Sequence, residues 1–257
     1  MSSSPQDGPA RRLVGVGVGP GDAELITVKA LNVLQIADVI LVPATEASGD
    51  EPGRAELIVL ANRAALAECI QRIPFSMTDR TGVTQRRLRS WQTGAQAAIG
   101  AFENGASTVC FATIGDPSVF STFSYLAGTV LAAMPDVQVE VIPGITAMQA
   151  LAAVSRTPLV EGTEVLSLVP ITAGLETLDV ALASSDTIVA YKAGRTLPQV
   201  LDHLRAAGRE ATTVIGTNLG LDNQRLLKDS DITDDSMAPY MCTVLSVPVR
   251  TSTGGRL

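Results

Sequence analysis

Runs of apolar residues alternate along the chain with segments whose apolar positions recur every three to four residues. Leu13–Gly19 (LVGVGVG) reads as a short buried strand ending in glycines. Thr27–Ala37 follows, with Val28, Leu31 and Leu34 at helical spacing and Thr27 placed to cap. Asp38–Pro43 (DVILVP) is the next strand, Ala44–Arg54 a loop, and Ala55–Ile70 a helix carrying Leu57, Leu60 and Ala64. No element is assigned between residues 71 and 106. Ser107–Ala112 (STVCFA) reads as a strand and Ser118–Ala133 as a helix.

Met134-Pro135-Asp136 breaks the pattern near the middle of the chain, and then the alternation restarts. Strands are expected at Val137–Ile142, Glu164–Val169, Thr187–Tyr191, Ala211–Thr217 and Tyr240–Val247. Helices are expected at Ala147–Val154, Leu175–Ala183 and Leu197–Ala207. Such alternation predicts an α/β fold with largely parallel pairing. The break and restart predict two α/β domains, 13–135 and 136–250. The first twelve and last seven residues read as loose ends.

Composition narrows the picture. The 257 residues are 46% hydrophobic and only 18% charged, against about 25% charged in an average domain. Disorder is excluded as the main state, because so apolar a chain can bury a core. A net charge of −7, with no Lys/Arg run longer than two, argues against a nucleic-acid partner. No run of about 18 uncharged apolar residues predicts a membrane span, and Met1–Arg12 makes a poor signal peptide. A cytoplasmic protein is expected. Cys69, Cys110 and Cys242 are scattered, and His203 is the only histidine. No metal site is expected, nor a Ser-His-Asp triad.

Three glycine-containing turns carry candidate chemistry. Gly15-Val16-Gly17-Val18-Gly19-Pro20-Gly21-Asp22 leaves a strand, where backbone can approach a ligand closely. Pro20 stands where a dinucleotide fingerprint needs glycine or alanine, and it lacks the N–H that a pyrophosphate would use. Thr113–Thr122 (TIGDPSVFST) and Pro143-Gly144-Ile145-Thr146-Ala147 each run from strand through turn to helix, where open α/β sheets bind ligands. Asp116 suits either a ligand contact or a cap, Pro117 suits a first helical position, and Thr146 suits a cap. Arg54, Arg195 and the cluster Arg86, Arg87 and Arg89 fit a solvated face or carboxylate partners. No GxSxG elbow or carboxylate pair points to hydrolysis.

Taken in order, Gly17-Val18-Gly19-Pro20-Gly21-Asp22, Gly115-Asp116-Pro117 and Val141–Ala147 (VIPGITA) resemble the tetrapyrrole methylase family, from Leu13 to about Pro248. Thr113–Leu126, Ile73–Thr78 and the acidic Thr45–Arg54 segment are most like the subgroup acting at carbon 20 of precorrin-2 or cobalt-factor II. The resemblance implies two α/β domains, each a sheet flanked by helices, with the active site in the cleft between them. It also implies a homodimer and S-adenosylmethionine as cofactor. The matched positions imply cofactor contacts at Pro20, Ile114, Gly115, Asp116, Val119, Ser121, Thr122, Thr146 and Ala147. A looser match adds Lys192, Asn218 and Leu219 on the adenosine side. Lys192 departs from an apolar residue in some relatives, and Leu219 from a glycine.

Methyl transfer from a sulfonium to carbon is an in-line displacement that needs alignment, which can supply roughly 7–11 kcal/mol, and needs no metal. A bulky polycarboxylate substrate gives Arg54, Arg86 and Arg195 a role as carboxylate partners. No residue stands out as the proton acceptor. Other readings are a methylase for another ring carbon, a uroporphyrinogen-III methyltransferase, a nucleotide-dependent oxidoreductase, or a non-catalytic cofactor-binding protein.

Overall fold

The structure is a computed structural model that describes residues 10–44, 51–75, 84–232, 238–239 and 241–251. Most of the Thr45–Arg54 segment and the end of the Ile73–Thr78 stretch lie outside the described residues, as do residues 1–9, Tyr240 and residues 252–257. The chain divides into two compact units after Thr146.

In the first unit five strands form one all-parallel sheet: β1 (Arg12–Gly17), β2 (Val39–Ala44), β3 (Ile70–Pro74), β4 (Thr108–Thr113) and β5 (Gln138–Ile142). Their order is β3-β2-β4-β1-β5. Parallel sheets are covered on both faces, so their central strands are apolar throughout. Leu13, Val14 and Val16 on β1 and Val109–Ala112 on β4 are accordingly buried. Helices α1 (Val28–Gln35) and α2 (Arg54–Asn62) cover one face through Val33, Leu34, Ile58 and Val59. Helices α3 (Gln85–Glu103) and α4 (Phe123–Ala133) cover the other through Ala98, Phe102, Phe123 and Val130.

Several expectations shift here. The helix expected over Ala55–Ile70 is shorter: α2 ends at Asn62, Ala64–Cys69 forms tight 3₁₀ turns, and Ile70 begins β3 by pairing with Ile40. α3 fills the stretch left unassigned. The helix expected from Ser118 starts at Phe123, because Phe120 takes a left-handed backbone (φ 50°) that a helix cannot contain. The expected join near residue 136 falls inside the first unit. There β5 pairs with β1 from Arg12↔Gln138 to Val16↔Ile142, and the division lies after Thr146.

The second unit holds β6 (Leu166–Pro170), β7 (Thr187–Tyr191), β8 (Thr213–Thr217), β9 (Arg225–Lys228) and β10 (Cys242–Ser246), in the order β6-β7-β10-β8-β9. Largely parallel pairing was expected, but only β6–β7 is parallel. β10 runs antiparallel to both β7 and β8, and β9 antiparallel to β8. β10 is buried at every position, so its apolar run carries no mark of direction. Helices α6 (Leu175–Ser184) and α7 (Leu197–Ala206) pack on one face through Leu178, Leu197 and Leu201. α5 (Ala147–Ser155) packs through Leu151 against Val189 and Leu245. No described helix is long and apolar enough to cross a membrane.

Candidate functional site

Three loops leave the carboxyl ends of neighbouring strands in the first unit: 18–22 after β1, 114–122 after β4 and 143–146 after β5. The loop after β1 leads to α1 on one face and the loop after β4 to α4 on the other. Their shared edge is therefore the switch point at which open α/β sheets bind ligands.

Glycine allows these loops to meet. The Gly115 N–H donates to the Gly19 carbonyl (2.8 Å), and Val18 N–H to the Thr113 carbonyl (3.0 Å). Gly19 (φ 88°) and Gly115 (φ 71°) occupy the left-handed region that glycine tolerates. A Cβ on Gly17 would lie 2.5 Å from the Gly115 carbonyl oxygen, and one on Gly144 would lie 2.1 Å from the same oxygen. The glycine-rich turn was expected to let backbone approach a ligand. In the structure, Gly17 and Gly144 serve the approach of loop to loop, and Gly15 makes room for the Phe123 ring.

Asp116 ties the second and third loops together. One carboxylate oxygen accepts the Ser118 N–H (2.7 Å) and the other the Gly144 N–H (2.9 Å). It therefore caps the turn at Ser118, and α4 takes its first bond elsewhere: the Ser121 hydroxyl accepts the Phe123 N–H at 3.2 Å. Ser121 also bonds Thr113 through their hydroxyls (3.4 Å). Pro20 and Thr146 are buried, while Ile114, Val119, Ser121 and Thr122 are partly exposed. The structure thus brings Pro20, Ile114, Gly115, Asp116, Val119, Ser121, Thr122 and Thr146 to one edge of the first sheet. Ala147 is the first residue of α5.

The remaining residues divide between the units. Arg54 is the first residue of α2 and Arg86 the second of α3. Each stands in the first turn of a helix that follows a strand of the parallel sheet, at the carboxyl edge that carries the three loops. Arg54 is half-buried, and desolvation draws its guanidinium pKa below the usual value; it stays charged at neutral pH. Arg86 is exposed. Arg195 belongs to the second unit, exposed in the turn after β7.

In the second unit Lys192 and Asn218 directly follow β7 and β8. Both have left-handed backbones (φ 62° and 51°). Leu219 is buried beside Leu151 in the cluster under α5, and the Tyr191 hydroxyl accepts the Met148 N–H at 3.1 Å. Among the described residues four non-glycines have positive φ: Phe120, Arg156, Lys192 and Asn218. Phe120 stands in the loop after β4, and Lys192 and Asn218 are positions of the looser family match; backbone strain of this kind concentrates at functional sites. The sequence reading missed Phe120, for which residue type gives no signal. It also missed the loop-meeting role of Gly17 and Gly144, whose signal was a glycine just at the end of a strand.

Comparison with known proteins places this edge in context. The family model described as Tetrapyrrole (Corrin/Porphyrin) Methylases matches residues 12–230. The chain is 34% identical over 240 residues to the precorrin-2 C(20)-methyltransferase of a Sinorhizobium species, covering 91% of this chain and 94% of that one. It is 26% identical to the cobalt-precorrin-2 C(20)-methyltransferase of Salmonella typhimurium, covering 91% and 95%. The uroporphyrin-III C-methyltransferase of Thermus thermophilus, solved with S-adenosylhomocysteine, superposes with a TM-score of 0.60 at 21% identity. That match covers 91% of this chain and 96% of that one, and it shows a shared fold.

Proposed function

The chain belongs to the tetrapyrrole (corrin/porphyrin) methylase family, and on that premise we propose that it methylates carbon 20 of precorrin-2, or of its cobalt complex, in cobalamin biosynthesis. The observation that carries this reading is the near full-length match to relatives that bear that activity's name, in both the metal-free and the cobalt form. The three family motifs fall on the three loops that meet at the switch point.

S-adenosylmethionine, when bound, supplies an already activated methyl group. The residues present fit such a ligand: the loops offer a crowded backbone edge with small or apolar side chains at Pro20, Ile114, Val119 and Thr146. These residues, with Gly115, Ser121, Thr122 and Ala147, would hold it, and Lys192, Asn218 and Leu219 would line its adenosine side. A weakly polar pocket suits a sulfonium, which loses its charge as the methyl leaves. Arg54, Arg86 and Arg195 would meet substrate carboxylates by charge-assisted hydrogen bonds. The homodimer rests on the family resemblance, and the cytoplasmic setting on the sequence expectation alone.

The competing reading, a nucleotide-dependent oxidoreductase, meets an obstacle at Pro20, which is buried and has no N–H for a pyrophosphate. Calorimetry separates the two. The proposal predicts saturable binding of S-adenosylhomocysteine and none of NAD; the reverse pattern would overturn it.

A further inference from the structure

β4 and β5 are not neighbours in the sheet, because β1 lies between them. Strands two places apart are roughly 9–10 Å from each other, yet the loops after β4 and β5 touch. They do so over the end of β1, just beyond its last rung with β5 at Val16↔Ile142. Gly17 sits beneath that crossing without a side chain, and a Cβ there would strike Gly115 and Gly144 alike. Beyond the rungs, another force must hold the two loops together. The Asp116 carboxylate does so, with one oxygen on its own loop at Ser118 N–H and the other across the gap on Gly144 N–H.

We propose that Asp116 is a positioning residue, a clasp that holds the third loop against the second through the Gly144 amide, and that it acts on cofactor affinity rather than on the chemical step. The inference rests on the reading of this edge as an S-adenosylmethionine site. Hydrogen bonds to a carboxylate are the stronger kind, and this one fixes the backbone that leads into Thr146 and Ala147. The clasp needs two acceptors. Asparagine offers one oxygen and one NH₂, so one of the two backbone N–H groups would face another donor.

The test compares the full-length wild type with Asp116→Asn and Asp116→Glu. Gly144 amide exchange is followed by NMR, S-adenosylhomocysteine affinity by calorimetry, and methyl transfer by steady-state kinetics across pH. For Asp116→Asn the expected results are faster Gly144 exchange and a Kd and S-adenosylmethionine KM raised about tenfold or more, the worth of one such hydrogen bond. The kcat at saturating cofactor should stay within about threefold, with an unchanged pH profile. Asp116→Glu keeps both acceptors and should lose less affinity against the wild type than Asp116→Asn does. It carries the comparison if the asparagine variant does not fold. A fall in kcat of about a hundredfold or a lost limb of the pH profile, at unchanged Kd, would overturn the proposal in favour of acid–base chemistry. Unchanged exchange and affinity would overturn the clasp itself. If the wild type binds no S-adenosylhomocysteine, the reading of the site fails, and the Gly144 exchange result still decides whether the clasp exists.

Discussion

At the scale of single residues, the site depends as much on absent side chains as on present ones. A Cβ added at Gly17 would first meet backbone, 2.5 Å from the Gly115 oxygen and 2.7 Å from the Gly144 nitrogen and Cα, so no rotamer change can relieve an added methyl. Gly17→Ala should therefore destabilise the chain by about 1–3 kcal/mol, measured by urea unfolding, and weaken S-adenosylhomocysteine binding in parallel. Wild-type stability in that variant would show that the loops meet otherwise. Arg54 is the most constrained of the three arginines, since it is half-buried at the start of α2. Arg54→Ala should raise the substrate KM about tenfold or more, the loss of a charge-assisted bond, with a smaller effect on kcat. An unchanged KM would remove Arg54 from the substrate site. The positions of Pro20, Gly115, Asp116 and Thr146 along the chain were legible, because turn chemistry marks them. Which way each group faces was not. Asp116 reads equally well as ligand contact or cap, and only the placement of β1 between β4 and β5 shows what its second oxygen reaches.

At the scale of elements, local pattern and tertiary pairing divide the outcome. α3 has a helical stripe at Leu88, Trp91, Ala95, Ala98, Ile99 and Phe102, but polar residues and two glycines mask it. Gly94 is there for packing, since a Cβ would come within 3.0 Å of Ile73 and 3.3 Å of Leu126. β3 begins where a helical pattern still runs, because pairing with β2 overrides propensity. The edge strand β5 is anchored by charge. Glu140 accepts from Arg12 of β1 (2.7 Å) and pairs with Lys29 of α1 (3.0 Å). Hydrogen bonds from Arg12 and then Lys29 lower its pKa. A carboxylate depressed in the folded state stabilises fully above its unfolded pKa, about 4.3. That contribution is lost as pH falls through the lower folded value. Glu140→Gln should therefore lower the urea midpoint at neutral pH and flatten its decline below about pH 4.3. A decline identical to that of the wild type would show that the pair does not couple to folding.

At the scale of the whole molecule, the division into two α/β units was visible in the restart of the strand–helix alternation, but its position was not. The Met134-Pro135-Asp136 break looks like a linker, yet it only turns the chain from α4 into β5, which completes the first sheet. The mixed second sheet was also hidden, since a strand buried on both faces reads the same in either direction. Low charge, one histidine and scattered cysteines are what a transfer from a pre-activated methyl donor tolerates. The chain belongs to the tetrapyrrole methylase family, and carbon 20 is the proposed position of methylation. It is tested most directly by anaerobic incubation of the protein with methyl-labelled S-adenosylmethionine and precorrin-2, with and without cobalt, followed by NMR location of the label. Label is expected at carbon 20 of the macrocycle; label at any other ring carbon, or none in either form of the substrate, would overturn the proposed function.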